Sequence, residues 1–267
     1  CAGGATTTVY PSSTAEECGY ILHDSSSRFV FAEDPGQVAK LRGQRAAMPN
    51  LTKVILLDGA ADAADGDWVM TLAALEAAGA AHLATSPGAV ADATAGVAPE
   101  HLATLIYTSG TTGKPKGVRL VHECWAYTAD AIAAVNFITE TDLEYLWLPL
   151  SHSFGKVLTS GHVKIGHTMA VDGRIPKLID NLAVVRPTMM AAAPRIFEKV
   201  YNKVVQGAKD AGGMKWRIFQ WAIGVGKQVS ALRQDGREPG GLLAVKNKLA
   251  TKLVFSKLQA RFGGRLR

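Results

Sequence analysis

The sequence predicts an α/β fold of layered, largely parallel sheets flanked by helices. Short apolar runs of strand length alternate with longer helical patterns, and the runs end near Asp, Pro or Gly, as buried strands do. No internal repeat is present, and 267 residues with 48% apolar composition suffice for a sizeable core. In chain order, residues 14–24 read as a helix opened by Thr14, with Glu17 three positions on in capping-box spacing. Residues 28–33 and 53–57 read as strands. Between Gly59 and Pro99 the composition turns to Ala, Gly and Asp, which predicts a surface excursion holding one helix, Trp68 to Ala78, capped by Asp67. A strand follows at Thr104 to Tyr107, then a helix over His122 to Phe137 and strands at Tyr145 to Leu148, His167 to Val171 and Thr188 to Ala192. Pro194, suited to a first helical position, opens Arg195 to Lys209, and helices over Lys215 to Leu232 and Leu242 to Phe262 complete a basic helical region, 194–267.

Charge is unevenly placed. Residues 1–185 hold 12 Lys+Arg against 19 Asp+Glu, whereas residues 186–267 hold 17 against 4. A basic block can be a solvated helix face or can meet lipid headgroups or the phosphates of a cosubstrate; no nucleic-acid-binding motif accompanies it. Cys1, Cys18 and Cys124 are odd in number and lack C-x-x-C spacing, so they read as free thiols of a reducing cytoplasm. No run of eighteen apolar residues is present. The chain starts at Cys1 in what reads as mid-fold, so it is expected to be part of a longer protein.

The chemistry is concentrated in three stretches. The first, loop 107–118, follows an apolar strand directly. Gly110, Gly113 and Gly117 let amide N–H groups turn toward an anion; Thr108, Ser109, Thr111 and Thr112 add hydroxyl donors; Lys114 and Lys116 add positive charge, with Pro115 stiffening the loop between them. This composition suits a polyphosphate. The spacing departs from G-x-x-x-x-G-K-[ST], because Gly113 follows Gly110 too soon and Lys114 precedes a proline, which disfavours a Walker-type NTPase. The ten positions from Tyr107 to Lys116 resemble the phosphate-binding signature of the adenylate-forming superfamily, which activates carboxylates as acyl-adenylates.

The second stretch, Leu148 to Gly155, ends a strand at Pro149 and delivers Ser151, His152, Ser153 and Phe154 to a loop, where open α/β sheets bind ligands. Taken alone, such a histidine is more often structural than catalytic. The resemblance changes that weight: the superfamily's Pro-x-x-His-x-x-Gly loop is matched by Pro149, His152 and Gly155, and His152 lies 42 residues after Gly110. It implies that His152 is catalytic and that Ser151 and Phe154 border the acyl substrate. The other six histidines lack partners at metal-ligand spacing, so no protein-bound metal is expected.

The third stretch, Val185 to Tyr201, holds Met189, Met190 and Ala192, small or soft residues that either leave room for a long apolar ligand or pack a sheet against a helix. Pro194 to Lys199, and the helical sequence with Trp216, Phe219 and Trp221, resemble long-chain fatty acyl-CoA synthetases, as does Thr6 to Pro11 near the start. The resemblance spans essentially the whole chain. It implies an incomplete N-terminal, AMP-binding domain over 1–267, without the C-terminal domain and without the adenine, ribose and lysine signatures. It further implies a long-chain fatty acid:CoA ligase that uses ATP, magnesium carried on ATP, and coenzyme A, cytoplasmic or in peripheral contact with a membrane. On its own the piece is expected to be inactive. A fatty acyl-AMP ligase serving a carrier protein and a non-catalytic nucleotide- or lipid-binding module are the alternatives.

Overall fold

A computed structural model describes residues 3–108 and 113–267, apart from the side chain of Lys199. The chain forms two compact units, Cys1–Ala131 with Pro149–Gly161 and Ile132–Leu148 with His162–Arg267. In the first, β1 (Thr6–Thr7) leads through α1 (Ala15–Asp24) to β2 (Phe29–Ala32), then α2 (Pro35–Gly43) and β3 (Lys53–Leu56). The capping box of α1 is complete: Glu17 N–H donates to Thr14 Oγ1 at 3.2 Å and Thr14 N–H to Glu17 Oε2 at 2.9 Å. Asp34 caps α2 by accepting from Gln37 N–H at 2.9 Å, with Pro35 at the first helical position. The apolar faces of both helices close over the sheet, burying Leu22, Val38, Leu41, Val54 and Leu56 in one cluster.

The Ala-rich stretch holds more order than its composition predicts. The expected helix at Trp68–Ala78 gives way to β4 (Val69–Thr71), which pairs in parallel with β3 through Val54 and Val69, and the helix, α3 (Leu72–Thr85), is capped by Thr71 rather than Asp67. Burial decides this: Trp68 and Val69 join the core, and Trp68 Nε1 donates to the Leu51 carbonyl at 3.3 Å. Then come α4 (Ala89–Ala95), β5 (Leu102–Thr108), β6 (Lys116–Val121) and α5 (His122–Val135). Two three-stranded sheets result, ordered β1-β5-β6 and β2-β3-β4. Every pair is parallel except β5–β6, an antiparallel hairpin that the sequence reading did not contain.

The second unit is built on β7 (Leu143–Leu146) paired in parallel with β8 (Thr168–Val171). Between them in sequence runs α6 (Ser153–Ile165), and α7 (Leu178–Val185), α8 (Pro194–Asp210), α9 (Gly213–Gln234), α10 (Gly241–Ala250) and α11 (Ser256–Arg261) follow. The helix expected over 242–262 is interrupted by a π turn at Thr251–Phe255, whose wider winding re-aims the side chains beyond it. The strand expected at 188–192 reduces to one parallel bridge, Glu144 with Met189. Its backbone is satisfied otherwise: Tyr145 N–H donates to Met189 O, while Thr188 Oγ1 accepts from Leu143 N–H. Among the described residues no helix is long and apolar enough to cross a membrane, and Cys18 and Cys124 are free thiols.

Beside this bridge lies a buried polar cluster. Glu144 is 0% exposed and its Oε2 meets His167 Nε2 at 2.9 Å, with the His162 ring edge-on to His167 at 5.2 Å. Among the described residues, Glu144 Oε1 and the Nδ1 atoms of His162 and His167 have no hydrogen-bond partner. Burial pushes the Glu144 carboxyl above its ordinary 4.5, against the opposing pull of His167. A raised carboxyl stabilises the fold fully below its unfolded pKa and loses that contribution as pH rises through the folded value. Glu144→Gln keeps the shape and a hydrogen-bonding group without a titrating charge. The variant is therefore expected to gain on the parent between pH 4 and pH 7 in paired thermal melts; a gap that shrinks over that range would show an ionised Glu144 held by His167.

Candidate active site

Strand β5 leads straight into the phosphate-loop sequence, and β6 takes the chain back in register, Tyr107 opposite Gly117 and Thr108 opposite Lys116. Ser109, Gly110, Thr111 and Thr112 lie outside the described residues. The hairpin of β5 and β6 is anchored on α1. Tyr107 Oη donates to Asp24 Oδ2 at 2.6 Å and Tyr20 Oη to the Pro115 carbonyl at 3.0 Å, the two rings meeting edge-on at 6.4 Å. Lys114 Nζ lies 5.0 Å from the centre of the Tyr20 ring, a cation–π contact. Burial, then the Asp24 carboxylate, raise the Tyr107 phenol far above its usual range, so it stays a donor.

Two glycines show why the loop uses them. Gly113 sits at φ +152°, outside the range side-chain-bearing residues readily adopt. At Gly117 an added Cβ would lie 2.9 Å from Tyr107 Cζ, so any larger residue would lever the tyrosine off Asp24.

The histidine stretch is a helix start rather than an open loop. Ser153, Phe154 and Gly155 form the first turn of α6, and His152 caps it: its Nδ1 accepts from Phe154 N–H at 3.2 Å and its carbonyl from Lys156 N–H at 3.5 Å. Histidine is not among the residues that usually mark an N-cap, which is why sequence reading left a loop here. With Nδ1 accepting, the proton of the neutral ring is on Nε2. His152 and Phe154 are exposed, whereas Ser151 is buried.

The turn before the helix is tied to β1. Thr8 Oγ1 donates to the Leu150 carbonyl at 3.3 Å, and Lys156 Nζ to Thr6 Oγ1 at 3.4 Å. Since β1 runs parallel to β5 with Thr7 opposite Leu105, Thr8 stands level with Ile106, two residues short of Thr108. At the rise of a strand this is about 7 Å, so the His152 turn and the β5–β6 hairpin leave the same end of one sheet. Lys156, which the sequence reading passed over, is half-buried and its ammonium pKa is lowered by desolvation. Its position four residues after His152 on a helical pattern was the available signal.

The third set is divided by its own backbone. Met189 pairs with Glu144, whereas Met190 and Ala192 pack against Tyr145, Trp147, Leu178 and Leu182. Neighbouring residues of an extended segment face opposite sides, so Met189 does not share a face with Met190. All three belong to the second unit, while β5, β6 and His152 belong to the first.

Comparison with known proteins gives the family. The chain is 32% identical over 267 residues to the long-chain-fatty-acid–CoA ligase FadD15 of Mycobacterium tuberculosis, covering 99% of this chain and 42% of the relative. It is 34% identical over 174 residues to fatty acyl-CoA synthetase A of Dictyostelium discoideum, 63% of this chain and 24% of that one. The chain thus spans less than half the length of these curated relatives. In fold it is similar to the adenylation domain of a carboxylate reductase from Mycobacterium chelonae, with a TM-score of 0.55 at 19% identity over 98% of this chain and 38% of that one. The sequence pattern described as AMP-binding enzyme matches residues 1–243, and the chain therefore belongs to that family.

Proposed function

We propose that residues 1–267 are part of the N-terminal, AMP-binding domain of a long-chain fatty acid:CoA ligase, with loop 107–118 holding the ATP phosphates and a basic helical region at 194–267. The observation that carries this reading is the glycine-, hydroxyl- and lysine-rich hairpin leaving the same sheet end as a histidine of defined tautomer. The names of the curated relatives supply the substrate class. In the first step the fatty carboxylate attacks the α-phosphorus of ATP, forming acyl-AMP and expelling pyrophosphate; in the second the coenzyme A thiol displaces AMP. The protein's share of the first step is to hold and neutralise the triphosphate, through loop amides, the hydroxyls of Thr108, Ser109, Thr111 and Thr112, and Lys114 and Lys116. Magnesium would enter as part of the ATP substrate, where it would offset negative charge on the triphosphate; no described side chain is assigned to it. His152 Nε2–H faces the carboxylate as a donor, with Ser151 and Phe154 bordering it and Met189, Met190 and Ala192 assigned to the acyl portion. Peripheral contact with anionic lipid headgroups belongs to the same reading and rests on the charge of residues 186–267.

The capping bond of His152 shapes the test. His152→Ala removes the cap as well as the Nε2 donor, and losing an N-cap costs about 1 kcal/mol of stability. His152→Asn retains a capping side chain, and its shorter amide no longer reaches the position of the Nε2 donor. In the full-length protein His152→Asn is expected to melt near the parent temperature and to lose roughly five- to 150-fold in kcat/KM for a long fatty acid, the value of about 1–3 kcal/mol of substrate contact. Near-parental kcat/KM would assign His152 to capping alone.

A further inference from the structure

One face of α1 belongs to the core, where Cys18 and Leu22 are buried with Val38, Leu41 and Val54. The adjoining face carries Tyr20 and Asp24, four residues apart and therefore one turn above the other. Each holds a different arm of the β5–β6 hairpin. Asp24 Oδ2 accepts from Tyr107 Oη at 2.6 Å on the outgoing strand, and Tyr20 Oη donates to the Pro115 carbonyl at 3.0 Å just before the returning one. The Tyr20 ring also meets the Tyr107 ring edge-on, and its centre lies 5.0 Å from Lys114 Nζ. All of these residues are in the first unit.

The hairpin needs such a hold. Among the described residues β6 is an edge strand of the sheet ordered β1-β5-β6, so it is paired on one side only. Pro115 immediately precedes β6 and has no N–H to give to the ladder, which leaves its carbonyl for backbone hydrogen bonding. Lys114 and Lys116 flank that proline. The bond from Tyr20 therefore fixes both cations at once, from a helix that the core and a complete capping box keep in place. Asp24 acts on the other arm, holding Tyr107 next to Thr108. Close packing of Tyr107 on Gly117 links the two arms, since a Cβ at Gly117 would lie 2.9 Å from Tyr107 Cζ.

We propose, on the phosphate-loop reading above, that Tyr20 and Asp24 of α1 are positioning residues for triphosphate binding: they hold the two arms of the β5–β6 hairpin, with Lys114 and Lys116, in place before ATP arrives. Neither residue is required to touch ATP. A hairpin ordered in advance loses less conformational freedom when the anion binds, so the hold contributes to affinity. The Tyr20 ring keeps Lys114 beside the hairpin rather than free in solvent. The hold is the same in the ground state and the transition state, so its loss weakens both alike and appears in KM for ATP rather than in kcat.

In the full-length protein, ATP–pyrophosphate exchange is expected to show KM for ATP raised at least about tenfold in Tyr20→Leu, which loses both bond and ring, and about fivefold in Tyr20→Phe, which keeps the ring. Asp24→Ala, at an exposed site, is expected to raise it at least about fivefold. In all three, kcat at saturating ATP and KM for the fatty acid are expected to stay within about twofold of the parent. A second readout needs no turnover: in the 267-residue chain, trypsin is expected to cut the Lys116–Gly117 bond faster in Tyr20→Leu and Asp24→Ala, with cleavage at other exposed lysines unchanged. A parental KM for ATP in both variants, a loss confined to kcat, or cleavage that rises at every lysine alike, the mark of a global loss of stability, would overturn the proposal. Gly113→Val and Lys116→Ala separate it from the reading it rests on. If these two lose exchange while the α1 variants keep a parental KM, the hairpin binds phosphate without the hold of α1, whereas parental exchange in both removes the phosphate reading itself.

Discussion

Gly113→Val in the full-length protein is expected to slow acyl-adenylate formation at least about tenfold, and Lys116→Ala to do the same, each read by ATP–pyrophosphate exchange. The two substitutions act differently. Gly113 occupies φ +152°, where a β-branched residue cannot follow, so valine redirects the loop amides before any ligand arrives. Lys116 lies in register with Thr108 at the base of the hairpin, so alanine there leaves the backbone in place and removes only charge. The glycine variant is therefore expected to weaken ATP binding and turnover together, and the lysine variant to act mainly on the step in which negative charge builds on the departing pyrophosphate. Lys257→Ala, on an exposed position of α11, serves as the control. Lys40 would be a poor one, because its Nζ donates to the carbonyls of Pro11 and Ser13. Exchange at parental rates in both loop variants would remove the phosphate-loop assignment.

The largest expected loss of stability comes from Asp142→Ala. This carboxylate, 4% exposed, accepts from Thr139 N–H at 2.8 Å, Thr188 Oγ1 at 2.6 Å and Arg267 Nη2 at 2.7 Å. It thereby ties the turn before β7 to the segment carrying Met189 and to the far end of the described chain. Alanine removes all of these bonds at once and leaves the partly buried Thr139 N–H without its acceptor, at a cost of roughly 2–4 kcal/mol. In a domain of this size each kcal/mol lowers the melting temperature by about 2–4 °C. Calorimetry of the 267-residue chain measures the shift.

The pH dependence carries its own sign. The Arg267 guanidinium, then the Thr188 hydroxyl, hold the Asp142 carboxyl well below its ordinary 3.8. A depressed carboxyl contributes stability that is present above its unfolded pKa and lost as pH falls through the folded one. The gap between the parent and Asp142→Ala is thus expected to be full at pH 6 and to narrow as pH drops below 3.8. A gap that widens in acid would mean that the carboxylate is not what the hydroxyl and guanidinium bind.

Sequence alone determined what rests on residues within a few positions of one another. The capping box of α1 needs only Thr14 and Glu17, so it was legible, and the run of glycines, hydroxyls and lysines at 107–118 carried the resemblance by which the family was legible too. The parallel pairing was legible too, because buried strands carry their apolar character throughout. Tertiary structure decided what depends on partners far along the chain. Val69 is a strand residue because β3 offers it an edge and the core takes Trp68, although the Ala-rich sequence around it favours a helix. Tyr107 holds the hairpin through Asp24, 83 residues earlier, and Glu144 finds His167 23 residues on. His152 became a helix cap through a ring nitrogen that no capping pattern contains, and Met189 parted from Met190 because one bridge to Glu144 set which face each would take. Local propensity and short-range hydrogen bonds are written in adjacent letters; burial and long-range pairing are properties of the folded surface, and they decided where the two readings differ.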